Sequence, residues 1–315
     1  MQNLGRVVGW MTGALLCFSG MAIAVRELAG QGLSIFEILA LRCLGGILLL
    51  SAWGALAAPG GIRAVGLPRP FRLHLARNTV HVAAQAFWAT GLTLLPLATV
   101  FALEFTAPAW TTLLAVLFLG ERPTRARIGS LVLGFVGVLI VLRPGAETFR
   151  PEALVVLAAA LGFAVALVVT KHMTATIGVL GILFWMHVIQ LPMNLGMNLV
   201  ASGGALPLQG FAASHLPMAA LLCLCGLLAQ VSVTNAFRHG DAATVVPLDF
   251  LRIPLIALLG ALLYGERFDL LVMLGAAVTA AGILWNLRDA TRGRAVARPA
   301  AAAASGAPGQ PRPRM

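Results

Sequence analysis

At 315 residues, 59% hydrophobic and 10% charged, the chain is too apolar for a soluble domain of its size. Its net charge of +11 excludes little by itself, but the basic residues sit in short segments between long apolar blocks. That spacing points to membrane orientation and away from nucleic acid. Cys17, Cys43, Cys223 and Cys225 all fall inside the apolar blocks, form no CxxC, and read as free thiols packed like small hydrophobes.

Ten blocks approach the length needed to cross about 30 Å of hydrocarbon. They cover roughly 7–25, 33–57, 73–93, 97–119, 126–142, 153–170, 177–201, 216–237, 242–264 and 270–287. Span one, preceded only by Arg6, reads as an anchor and not as a cleaved leader. Span two carries Glu37 near its start and Arg42 deeper. A buried guanidinium suits a carboxylate or phosphate on a solute; the plainer alternatives are snorkelling or a pair with Glu37.

Span three carries Asn78, His81, Gln85 and Trp88 at i, i+3, i+7 and i+10, one helical face. Such a stripe either lines a solute path or hydrogen-bonds to neighbouring helices. Span four carries Glu104 and, one turn on, Pro108; span nine carries Asp249, Arg252 and Pro254. At about 1.5 Å per residue, Glu104 should lie roughly 10 Å from one surface and Asp249 similarly far from the other. The expectation is one acid near each mouth beside a proline hinge, acting as latch, proton site or cation ligand. For Asp249, a local pair with Arg252 at i+3 competes with that role. Span seven carries Trp185 and His187. Span eight carries Gln230, Ser232, Thr234 and Asn235, with Arg238 at its end. The Gly-Glu-Arg runs at 120–122 and 265–267 close spans four and nine and read as architecture. Residues 290–315, rich in Ala, Pro, Gly and Arg, read as a disordered cytoplasmic tail.

Shifted by 145 residues, the sequence overlays itself. Residues 96–144 align with 241–289 without a gap, and about fifteen of those positions are identical. The shift pairs Arg26 with Lys171, Arg42 with His187, Gln85 with Gln230 and Glu104 with Asp249. With both termini inside, the inner segments hold sixteen of the 22 Lys and Arg residues and the outer loops hold four. That bias supports ten spans with cytoplasmic termini in a cell inner membrane. Five spans per copy is an odd number, so the copies at 1–145 and 146–289 should be inverted repeats. The predicted fold is therefore all-α, integral to the membrane, with two inverted five-helix repeats. A duplicated membrane chain with matched polar residues at membrane depth points to a transporter working by alternating access.

These residues resemble the EamA transporters of the drug/metabolite transporter superfamily over roughly residues 5–288. The resemblance rests on Phe36-Glu37-x4-Arg42, on the two ATV…P…LLGER-like blocks and on the two five-helix halves. It implies a central cavity lined by spans one, three, four, six, eight and nine, and secondary transport of small organic solutes. The segments from Pro151 and from Gly240 are similar to the S-adenosylmethionine-uptake-like branch. Where that branch shows DATxxxPYxYLE, this chain has DAATVVPLDFLR, with Arg252 in place of the glutamate. The expected solute is amino-acid-like or nucleoside-like, with export of amino acids, metallophores or drugs as the alternative. Binding falls to His81, Gln85, Trp88, Gln230, Thr234, Asn235, Arg42 and His187. Gating or proton coupling falls to Glu104, Asp249 and Arg252, and hinging to Pro108 and Pro254. The sequence holds no HxxxH, no HExxH and no carboxylate pair at metal spacing, so no catalytic residue, metal or cofactor is called for. A membrane enzyme or a non-transporting subunit is a remote alternative. The expected partners are the solute and the bilayer, with the chain a monomer or homodimer.

Overall fold

The computed structural model describes residues 4–57, 65–118, 124–143, 150–173, 177–239, 245 and 248–305. The elements are α1 (Leu4–Gly30), α2 (Ile35–Ala57), α3 (Phe71–Leu94), α4 (Leu97–Glu104), α5 (Ala107–Phe118), α6 (Arg125–Leu142), α7 (Ala153–Met173), α8 (Val179–Ala201), α9 (Leu216–His239), α10 (Arg252–Tyr264) and α11 (Leu270–Ser305). They occupy the ten expected spans, with α4 and α5 together forming the fourth.

Among the described residues, six helices are long and apolar enough to cross a membrane. α3 falls short of that standard because it carries Arg72, His74, Arg77, Asn78, His81 and Gln85 along its length. α10 and the apolar part of α11 are shorter. Large aliphatic side chains such as Leu48, Val200 and Leu262 are more than two-thirds exposed. A bundle that leaves such residues outside and buries Gln190 and Asn194 completely inside is built for a lipid solvent.

Small residues let the helices approach closely. A Cβ on Gly137 of α6 would meet Thr279 Oγ1 of α11 at 2.1 Å, and one on Gly91 of α3 would meet Val156 of α7 at 2.4 Å. The dominant pairings are α1 with α9, α3 with α7, α2 with α8 and α6 with α11; α4 also packs on α10.

Spans four and nine are both interrupted. α4 stops at Glu104 and α5 starts at Ala107 after a turn at Phe105–Thr106; α10 starts at Arg252 after a turn at Phe250–Leu251. The prolines explain the breaks. Pro108 and Pro254 sit in the first turns of α5 and α10, where a missing N–H costs nothing, and neither can bond back to the carbonyl four residues earlier. The composition of residues 290–315 predicts disorder, whereas α11 continues past Asp289 to Ser305. Alanine dominates that stretch and is the strongest helix former. The turn at 120–122, the side chains of Lys171 and Arg238, and residues 306–315 lie outside the described residues.

One end of the bundle is tied together by charge. Arg26 of α1 pairs with Glu266, and its guanidinium also donates to the carbonyls of Leu92 (2.7 Å) and Leu95 (2.5 Å). Glu266 in turn accepts from the Leu97 amide at the start of α4. Tyr264 donates to Glu27, 2.8 Å away. Glu266 therefore has the architectural role its Gly-Glu-Arg context suggested.

Candidate functional site

Two polar groups lie within the helix bundle. The first forms where the two broken spans meet. Arg252 Nη2 donates to Asp249 at 2.5 Å, and Arg252 Nη1 lies 3.8 Å from Glu104 Oε1. Trp88 Nε1 donates to the other Glu104 oxygen at 2.8 Å. The Arg252 guanidinium lies over the rings of Phe18 (3.8 Å) and Phe105 (5.0 Å), and Phe105 stacks on Phe250.

This arrangement corrects the expectation of one acid near each mouth: Glu104 and Asp249 converge on one arginine. Two depths of about 10 Å measured from opposite surfaces of a membrane about 30 Å thick leave only about 10 Å between them. An arginine side chain spans that gap. The local Asp249–Arg252 pair is present as well, and Trp88 belongs to this knot more than to the stripe it ends.

The second group is a belt across α2, α3, α7 and α8. Arg77 donates to Thr170 Oγ1 (3.1 Å) and Asn78 Oδ1 (3.0 Å). Asn78 donates to the His74 carbonyl at 2.8 Å. Gln190 Nε2 donates to Asn78 Oδ1 (2.9 Å) and to His81 Nδ1 (3.0 Å), which places the His81 proton on Nε2. Asn194 donates to the Gln190 carbonyl at 2.9 Å. His187 bonds the Leu183 carbonyl through Nδ1 at 2.8 Å and packs against Gly46 of α2. Arg42 lies one turn before Gly46, and its stem rests on Gly226 of α9.

Several buried polar atoms of this belt have no hydrogen-bond partner among the described residues. They are Arg42 Nε and Nη2, His74 Nε2, Gln85 Oε1, Gln190 Oε1 and Asn194 Oδ1. Buried polar groups are nearly always satisfied, so such a concentration on facing helices marks a place where a polar solute can complete the set. Arg42 does not pair with Glu37. Glu37 instead caps α2, accepting from the Ser34 amide (2.8 Å) and from Leu208 N (2.7 Å).

The other predicted residues divide. His81, Gln85, Arg42 and His187 join the belt. Gln230 and Thr234 are exposed, and Thr234 and Asn235 bond to the carbonyls of Gln230 and Val231 on their own helix. Gln85 is buried and Gln230 is not, so the matched glutamines do not face each other across an axis. Sequence reasoning missed Gln190, Asn194 and Asn198. The signal was available: with His187 they fall on one face of span seven, the same pattern that singled out span three. Away from both groups, a vestibule of about 890 Å³ opens beside the Arg26–Glu266 tie and is lined by Arg143, Arg150, Arg267 and Asp269.

The model of the EamA-like transporter family matches residues 6–143 and again 150–288. A riboflavin transporter of Rhizobium johnstonii is 34% identical over 235 residues, covering 74% of this chain and 75% of the relative. A riboflavin transporter of Brucella anthropi is 31% identical, covering 70% and 77%. An S-adenosylmethionine uptake transporter of Rickettsia felis is 27% identical over 271 residues, covering 86% and 88%. A solved crystal structure aligns with a TM-score of 0.61 at 18% identity, over 91% of this chain and 98% of the other, which shows a shared fold.

Proposed function

The chain belongs to the EamA-like transporter family, and from that premise we propose a secondary carrier that moves a small, polar organic metabolite between α2, α3 and α8 by alternating access. The observation that carries the reading is the set of unpartnered buried polar atoms on Arg42, His74, Gln85, Gln190 and Asn194. The solute class follows from the relatives: a riboflavin-like or S-adenosylmethionine-like metabolite, each a heterocycle carrying several hydrogen-bonding groups.

An inverted two-fold relation between the halves is supported by the packing. Under the 145-residue shift, the α1–α9 pair becomes the α7–α3 pair, while α2–α8, α4–α10 and α6–α11 each map onto themselves. In this reading both termini face the cytoplasm, and the Arg26–Glu266 tie closes the outer end. The Glu104–Arg252–Asp249 knot holds one more carboxylate than cation, and the surplus acid is the proton-coupling candidate.

The test is counterflow of labelled riboflavin and S-adenosylmethionine into proteoliposomes. Gln190→Leu and Asn194→Leu should abolish uptake, and Gln230→Leu should leave it near wild type. Normal uptake by the first two variants, or loss confined to the third, would place the path elsewhere.

A further inference from the structure

Resting on that reading of the site, we infer that the transported solute carries an anionic group, a phosphate or carboxylate, that docks on the Nε–Nη2 edge of the Arg42 guanidinium. Nε and Nη2 form one edge of a guanidinium, and their two N–H bonds point the same way. That edge receives a carboxylate or phosphate in a two-point pair. In Arg42 both atoms of this edge are buried, and neither has a partner among the described residues.

Among the described residues, no carboxylate pairs with Arg42 or Arg77. Arg77 is buried and spends its hydrogen bonds on the neutral oxygens of Thr170 and Asn78. Arg42 and Arg77 interact electrostatically with each other and with His81 and His187, and the remaining groups acting on Arg42 are the thiols of Cys43, which is within hydrogen-bonding reach of its side chain, and Cys223. Arg26, Arg143 and Arg252 make ion pairs to carboxylates, and none of the three is in the belt. Glu37, the nearest acid along α2, is committed to capping that helix.

Two arginines that repel each other, one buried and one half-buried, are costly to keep charged without an acid beside them. The same arrangement becomes favourable when an anion enters. The interior position selects a free solute over a lipid headgroup, because Gln190 and Asn194, which close the belt, are fully buried. The belt also supplies the unpartnered oxygens of Gln85, Gln190 and Asn194, which can accept from hydroxyl or amino groups on the same solute.

The test uses the full-length chain purified in detergent, with inorganic phosphate, riboflavin 5′-phosphate, riboflavin and phosphatidylglycerol micelles as probes. Binding is read by thermal stabilisation and titration calorimetry at constant ionic strength. Wild type should be stabilised by phosphate over chloride and should bind riboflavin 5′-phosphate at least tenfold more tightly than riboflavin. Arg42→Gln should erase that preference, a loss of roughly ten- to hundredfold for a charge-assisted pair. Arg42→Lys keeps the charge but not the fork and should recover part of it. Gel filtration together with the riboflavin affinity of each variant separates lost recognition from lost folding. The inference is overturned by equal binding of the two flavins to wild type, by an unchanged preference in Arg42→Gln, by no response to phosphate, or by stabilisation from phosphatidylglycerol alone. Failed counterflow with intact phosphate binding would sink the carrier reading and leave the anion site standing.

Discussion

Arg252→Met is the sharpest perturbation of the charged knot. Arg252 is almost fully buried, 2.5 Å from Asp249 and 3.8 Å from Glu104, with its guanidinium against Phe18. At an effective dielectric constant of about 20, the longer contact alone amounts to about 4 kcal/mol of gross attraction. Removing the cation leaves two carboxylates in a low-dielectric site without compensation, which costs about 3–5 kcal/mol. Methionine keeps the apolar stem packing, so most of the loss is electrostatic. At about 2–4 °C per kcal/mol, the unfolding midpoint should fall by roughly 6–20 °C in a thermal melt of detergent-purified protein. The triple variant Arg252→Met, Asp249→Asn, Glu104→Gln removes both acids with the base and should recover most of the loss, because Trp88 still finds an oxygen acceptor at position 104. A single variant as stable as wild type would refute the reasoning, as would a triple variant no better than the single one.

Two further outcomes follow from local geometry. Gly46→Ala places a methyl 2.2 Å from His187 Cδ2, and the ring cannot swing away without losing its bond to the Leu183 carbonyl. A loss of about 1–3 kcal/mol is expected in the same melt, relieved when His187→Ala is added. Asp269 has a pH signature. Burial alone would raise its carboxyl, but the hydrogen bond from Arg143 and the amides of Leu271 and Val272 outweigh it and hold the group below the ordinary carboxylate value. Its stabilising contribution is therefore complete above about pH 4, the unfolded value, and is lost as pH falls through the lower folded value. Asp269→Asn removes that contribution, so it should lower the melting temperature at neutral pH, flatten the acid limb below about pH 4 and converge with wild type at low pH; equal melting temperatures at neutral pH would contradict it.

The sequence by itself determined the ten spans, the family and the duplication. It also located the interruptions of spans four and nine and placed Glu37 near the start of span two. Each of these rests on a local or additive quantity: the transfer free energy of some twenty consecutive residues, a fixed dihedral at Pro108 or Pro254, an acid near a helix start. Only the tertiary structure decided which polar residues meet. Gln85 and Gln230 are equivalent in sequence, yet one is buried and the other exposed, because α3 packs on α7 and α8 while Gln230 lies on the outer side of α9. Glu104 and Asp249, 145 residues apart, share one arginine because two broken spans pack against each other. Gln190 and Asn194 gained significance once α8 lay against α2 and α3. Helix packing sets which face turns inward, and close approach at residues such as Gly46, Gly91 and Gly137 fixes that rotation. A hydropathy pattern cannot supply it, because lipid and protein interior are equally apolar surroundings for a leucine.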